Sequence, residues 1–160
     1  MIRIGKLATH PEHLDIAAQW AFRNWYEDKK IPYRAVLNDF RKRMNENALP
    51  LTFLALQGDL PVGMISLKET DLLSRRDLCP WLSSLYVVPE CRGRGIARSL
   101  IGAVQHEAAR LGYHEIFLFA DHRDAFRLCT YYHRLGWCEF SEAEDISGNT
   151  VKVFRTELEK

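Results

Sequence analysis

The chain has 160 residues, enough for one domain and short for two. Hydrophobic residues make up 47% and charged residues 27%, so a packed core under a solvated surface is expected. Twenty-two basic and twenty-one acidic side chains leave a net charge of +1, which excludes the strong positive field of a nucleic-acid or anionic-membrane binder.

In chain order, residues 1–7 alternate as a short strand and lack the apolar stretch of a secretion signal. Thr9 and Glu12 have capping-box spacing with Pro11 in the first turn, so the first helix is expected to start there. Leu14, Ala17, Ala18, Ala21 and Trp25 then share one helical face. Val36, Leu37, Phe40 and Met44 mark a second helix, on which Arg41-Lys42-Arg43 reads as a solvated face. Leu51–Gln57 and Leu60–Lys68 read as a hairpin turned at Gly58-Asp59, with Pro61 at an edge or strand end. Residues 71–80 are polar and loop-like, and residues 81–88 form the next strand.

Residues 95–111 give the clearest helical pattern, stopped by Gly112. Glu115–Ala120 is a short apolar strand suited to burial on both faces. Residues 124–135 form a last helix ended by Gly136, and residues 137–140 and 151–156 are closing strands around Ser147-Gly148-Asn149. The order β-α-α-β-β-β-α-β-α-β-β is that of a mixed α/β domain. No linker or repeat divides it, and no apolar run is long enough to span a bilayer, so a single cytoplasmic domain over residues 1–160 is expected. Cys79, Cys91, Cys129 and Cys138 make no C-x-x-C pair and the histidines no H-x-x-x-H pair, so ordinary thiols and no metal are expected.

The richest segment is residues 85–98, L-Y-V-V-P-E-C-R-G-R-G-I-A-R. A strand ends, Pro89 stops it, and Gly93 and Gly95 flank Arg94 where a helix begins. Helix N-termini offer unpaired N–H groups and a positive dipole end, and glycine lets an anion approach them closely. No G-K-[ST] follows, which excludes a P-loop, and Arg98 stands where a dinucleotide fingerprint needs a small residue. The bland alternative is a helix start that uses glycine only for its turn.

Together with the preceding strand, Arg92-Gly93-Arg94-Gly95-Ile96-Ala97 resembles the R-x-x-G-x-A acetyl-CoA motif of the GNAT (Gcn5-related N-acetyltransferase) superfamily. Tyr132-His133-Arg134-Leu135-Gly136-Trp137 resembles the family's second motif, Y-x-x-x-G-[FW], in the correct order. The resemblance implies an α/β GNAT fold: a mixed central sheet of about seven strands flanked by four helices and splayed between the fourth and fifth strands. It implies that Leu85, Tyr86 and Val87 pair with the pantetheine arm, and that Gly93, Arg94, Gly95, Ile96 and Ala97 hold the pyrophosphate. Arg92, Arg94 and Arg98 would add charge there, with simple solubility an equal account of each.

Acetyl transfer from a thioester needs a neutral amine and a proton for the departing thiolate. Tyr132 matches the family's general acid, and a phenol is protonated at neutral pH; adjacent Tyr131 is the alternative. Glu69 is the candidate base, with Asp71 beside it, although a solvated loop carboxylate is the commoner identity for each, and a water chain or an amine already neutral in a dry site would also serve. The acceptor is expected to be a primary amine of a small molecule or peptide, attacking directly with the donor bound. Trp20, Trp25, Tyr26, Glu27, Asp28, Tyr33, Glu142, Glu144 and Asp145 are its candidate contacts, although core packing explains Trp20 and Trp25 as well. A homodimer stays open, as does a non-catalytic acyl-CoA-binding or regulatory module on the same fold.

Overall fold

The computed structural model describes residues 1–120 and 125–159; the expected helix start at Asp124 lies outside them. Seven strands and four α-helices occur among the described residues. They are β1 (Ile2–Lys6), α1 (Leu14–Ala21), α2 (Tyr33–Lys42), β2 (Leu51–Gln57), β3 (Leu60–Lys68), β4 (Trp81–Val87), α3 (Ile96–Arg110), β5 (Glu115–Ala120), α4 (Ala125–Arg134), β6 (Cys138–Glu144) and β7 (Thr150–Glu157). The strands form one sheet in the order β1-β2-β3-β4-β5-β7-β6. β4 and β5 run parallel, paired at Trp81 and Phe117, whereas β1–β2, β2–β3, β5–β7 and β6–β7 are antiparallel. A pairing this brief is what a splay between the fourth and fifth strands leaves.

The chain divides into two compact units, Met1–Leu67 with Ser84–Val104, and Lys68–Ser83 with Gln105–Lys160. In the first, the small face of α1 is fully buried at Ala17, Ala18 and Ala21, against Leu7, Val36, Phe40, Leu54 and Met64. The helix starts later than its capping-box spacing predicts. Thr9 donates its hydroxyl to the Lys6 carbonyl at 2.9 Å, and 3₁₀ turns at Leu7–Thr9 and Pro11–His13 take up the segment before Leu14. α1 then runs into a π-helical turn at Phe22–Tyr26. π turns are rare and concentrate at functional sites.

The basic run on α2 divides. Arg41 and Lys42 are exposed, but Arg43, expected on the solvated face, is fully buried. Its position is three residues after Phe40 and seven after Val36, so it falls on the helix's inward stripe. β3 lies between β2 and β4, so Pro61 is not on an edge; it takes the strand-end alternative, opposite Leu56 where the register shifts.

In the second unit, Trp81, Phe117, Leu72, Leu78, Val151 and Val153 form the core, and the Trp81 indole donates to the Leu78 carbonyl at 2.8 Å. β6 is longer than its apolar pattern predicts. Its outer positions are polar, and part of its support comes from the loop before β4: Arg75 donates to Ser141 Oγ at 2.7 Å and Ser74 to the Glu144 carbonyl at 2.8 Å. Among the described residues no helix is long and apolar enough to cross a membrane.

Candidate active site

The nine candidate donor-binding residues all fall in the first unit. On β4, Leu85 and Tyr86 are half-buried and Val87 is buried. The Val88 N–H just beyond donates to the Val62 carbonyl at 2.9 Å. The Tyr86 ring lies 5.3 Å from that of Trp20, which ties Trp20 to packing as the core reading expected. After a 3₁₀ turn at Pro89–Cys91, Gly93 and Gly95 take φ of +80° and +78°. Side chains rarely adopt this left-handed region, and no atom lies within 4 Å of where a Cβ would stand at either glycine. The first bond of the following helix runs from the Ser99 N–H to the Gly95 carbonyl at 3.1 Å. The N–H groups of residues 95–98 therefore have no intrahelical acceptor. Buried Ile96 anchors this end, while Arg94 and Arg98 are exposed.

Arg92 is exposed but anchored to the strand before it. Its Nε donates to the Val87 carbonyl at 2.9 Å, and its guanidinium carbon stands 5.6 Å from the Tyr86 ring centre. It braces the strand.

Both candidate catalytic residues lie in the second unit. Tyr132 is buried on α4, its ring 5.4 Å from Tyr131, 5.9 Å from Trp137 and 6.4 Å from Phe154. Burial pushes its phenol well above the ordinary value, with the charge of Tyr131 a second cause. The motif that carries it is a helix stop. The Trp137 N–H donates to the Tyr132 carbonyl at 3.0 Å and the Gly136 N–H to His133 at 3.1 Å, with Gly136 at φ +92°. That is a Schellman cap, and the Tyr132–Trp137 ring contact is its customary apolar clasp. The spacing of Y-x-x-x-G-W thus fixes the tyrosine's place on the last turn. The Trp137 indole N–H is buried without a hydrogen-bond partner among the described residues.

Glu69 is exposed directly after β3, and its charge contributes to the upward shift of the Cys79 thiol and the Tyr113 phenol, in which burial is the first cause. Asp71 is not the solvated loop carboxylate its setting implies. It accepts from Lys68 Nζ at 3.3 Å and Ser83 Oγ at 3.0 Å. Among the acceptor candidates, Tyr33 donates to Asp15 at 2.9 Å, Trp25 and Tyr26 are half-buried, and Glu27 and Asp28 are exposed. Glu142 and Glu144 are exposed on β6, whereas Asp145 accepts from the N–H groups of Ser147 and Asn149 and holds the turn.

A glycine-opened helix following a parallel-paired strand, in a seven-stranded mixed sheet, defines the acyltransferase class that the sequence resembles. The model of the acetyltransferase (GNAT) family matches residues 14–137, and the chain belongs to that family. No curated protein matches it. Among solved structures, an aminoglycoside 6'-N-acetyltransferase complexed with coenzyme A is similar with a TM-score of 0.77 at 14% identity, over 99% of this chain and 98% of that one. The structure of yncA from Salmonella typhimurium with its cofactor acetyl-CoA gives 0.69 at 17% identity, over 100% and 94%. Mutant forms of the spermidine/spermine N-acetyltransferase SpeG from Vibrio cholerae give 0.69 at 18%, over 98% and 95%. At these identities the likeness is one of fold.

Proposed function

We propose that this acetyltransferase takes an acetyl group from acetyl-CoA and gives it to a primary amine of a small molecule or peptide, with both bound together and the amine attacking directly. The observation that carries this is the pair of left-handed, unobstructed glycines at the start of α3. Backbone N–H groups of residues 93–97 hold the pyrophosphate, helped by the helix dipole, while exposed Arg94 and Arg98 add charge. Leu85, Tyr86 and Val87 present backbone to the pantetheine arm as a strand edge does. Acetyl-CoA supplies the activated acyl carbon.

Tyr132 holds a proton at its phenol oxygen for the departing sulfur, since a phenol is protonated at neutral pH. Glu69 is assigned as the base that takes the ammonium proton. Of the two carboxylates it is the exposed one, because Asp71 is held by Lys68 and Ser83. Exposed Glu27 and Asp28 beside half-buried Trp25 and Tyr26 suit a cationic acceptor. The likeness to proteins described as aminoglycoside and spermidine/spermine acetyltransferases supports an amine.

Release of free CoA over a panel of amines and alcohols tests the reading. Turnover on amines, rising into the alkaline range as the acceptor loses its proton, is expected. Turnover confined to alcohols overturns the amine assignment. Glu69→Gln should depress turnover and flatten the pH profile; an unchanged profile removes Glu69 from the site.

A further inference from the structure

A buried charge with four polar contacts lies in the first unit, outside every motif above. Arg43 is fully buried. Its Nη1 donates to Ser66 Oγ on β3 at 3.0 Å and to Ser84 Oγ on β4 at 2.9 Å. Its Nε and Nη2 both donate to Asp39 Oδ2, at 3.1 and 2.6 Å, and its guanidinium stacks on the Phe40 ring at 4.0 Å. Ser66 in turn lies 2.7 Å from Thr52 Oγ1, its register partner on β2. A row of hydroxyls thus crosses three strands, and one guanidinium joins its last two members.

The row ends at a backbone outlier. Ser84 has φ of +54°, a left-handed conformation in the middle of β4 that side-chain-bearing residues adopt at a cost. Such strain persists only where the surroundings hold it, and it gathers at functional sites. The three residues that follow are Leu85, Tyr86 and Val87. An irregular residue in a strand re-aims the backbone after it. Arg43 is built to hold one: Nε and Nη2 on Asp39 fix the guanidinium plane, so Nη1 reaches Ser66 and Ser84 from a set position that a lysine's rotatable ammonium lacks.

We propose that Arg43 is a positioning residue, whose bonds to Ser66 and Ser84 hold the β4 kink and so aim the backbone of Leu85–Val87 that receives the acyl-CoA arm. This rests on the donor site assigned above. The residue acts through β4 and touches neither substrate.

The test is CoA binding by calorimetry, with steady-state kinetics, on the full chain carrying Arg43→Met, Ser84→Ala and both. Each single change should weaken CoA and raise the KM for acetyl-CoA by about tenfold, the scale of a lost bond to a charged group. The KM for the amine should stay unchanged, and the double variant should be no worse than the worse single one, because the two residues act as one unit. Ser84→Gly placed in the Arg43→Met background should restore part of the affinity, since glycine takes the kink unaided. A generic loss of stability would not produce that split or that rescue. Folded single variants with unchanged CoA affinity overturn the proposal, as does an equal rise in both KM values. If Arg43→Met does not fold, Ser84→Ala decides alone. If the unaltered protein binds no CoA, the donor assignment is what fails; the strut is then judged from the amide resonances of Leu85, Tyr86 and Val87, which must move in both single variants and overturn it if they stay still.

Discussion

In the proposed reaction Tyr132 is the proton donor, and a helix cap fixes its place. Tyr132→Phe should therefore lower kcat by roughly ten- to a thousandfold with little change in acetyl-CoA affinity, and Tyr131→Phe should do less. Steady-state kinetics on both variants check the register, and the reverse order reassigns the role to Tyr131. At Gly95 the cost of substitution falls on the backbone, because φ is +78° and no atom stands near an added Cβ. Gly95→Ala should cost about 1–2 kcal/mol in chemical denaturation from left-handed strain alone. Gly95→Val adds bulk toward the ligand and should abolish stabilisation by acetyl-CoA. The positions of Tyr132 and the glycines stood out in the sequence because the motifs that resemble the family's also encode backbone geometry, a cap and a turn. Arg43 is harder: its offsets from Val36 and Phe40 put it on their stripe, yet a basic run ordinarily faces solvent, and only the hydroxyls of Ser66 and Ser84 explain its burial. The tie between Asp71 and Ser83, and the brace that Arg92 places on Val87, were out of reach, since each joins residues through the fold.

At the level of elements, β3 and β4 approach closely at Gly63, where an added Cβ would stand 2.9 Å from the Tyr86 carbonyl oxygen and 3.3 Å from Leu100 Cδ1. The nearest obstacle is backbone, which cannot swing aside. Gly63→Ala should cost about 1–3 kcal/mol by overpacking, and it should weaken CoA binding because Tyr86 must shift. Gly102 on the exposed face of α3 is the control: nothing lies within 4 Å of it, and Gly102→Ala should gain about 1 kcal/mol from helix propensity. Urea denaturation of both variants measures the contrast. Elements with a strong apolar period, β2, β3, β5 and α3, match the sequence reading to within a residue or so. The start of α1 and the length of β6 do not. Thr9 donates to the Lys6 carbonyl instead of accepting from a helix N-terminus, and β6 alternates polar residues on an exposed face, where periodicity carries little signal.

For the molecule as a whole, the titrating groups set a limit on alkaline stability. Tyr132, Tyr33 and Tyr113 all sit above their ordinary value of 10.0, and Cys79 above 9.0, each chiefly through burial. Once pH exceeds those ordinary values, the unfolded chain gives up protons that the native chain keeps. Stability is then fully present below about pH 9 and falls as pH rises, with Tyr132 alone adding a slope of about 1.4 kcal/mol per pH unit above 10. Denaturation midpoints measured across pH 8–11 should show the decline, and Tyr132→Phe should make it shallower; an unaltered slope would contradict the burial of that phenol. Acetyl-CoA at a hundred times its dissociation constant should raise stability by about 2.7 kcal/mol.

The two compact units also interleave along the chain, since each is made from two separated stretches. No single scission separates the two with both intact: a break after Leu67 strips the first unit of β4's distal half, the glycine loop and most of α3. The order of synthesis is constrained in the same way. As the chain leaves the ribosome, β1, β2 and β3 can pair early, yet the first unit stays incomplete until Val104 emerges, roughly 2–7 s after Leu67 at about 5–20 residues per second. Until Val87 emerges the apolar strand β3 waits without its neighbour β4, and a nascent chain stalled there presents an unpaired strand to other chains.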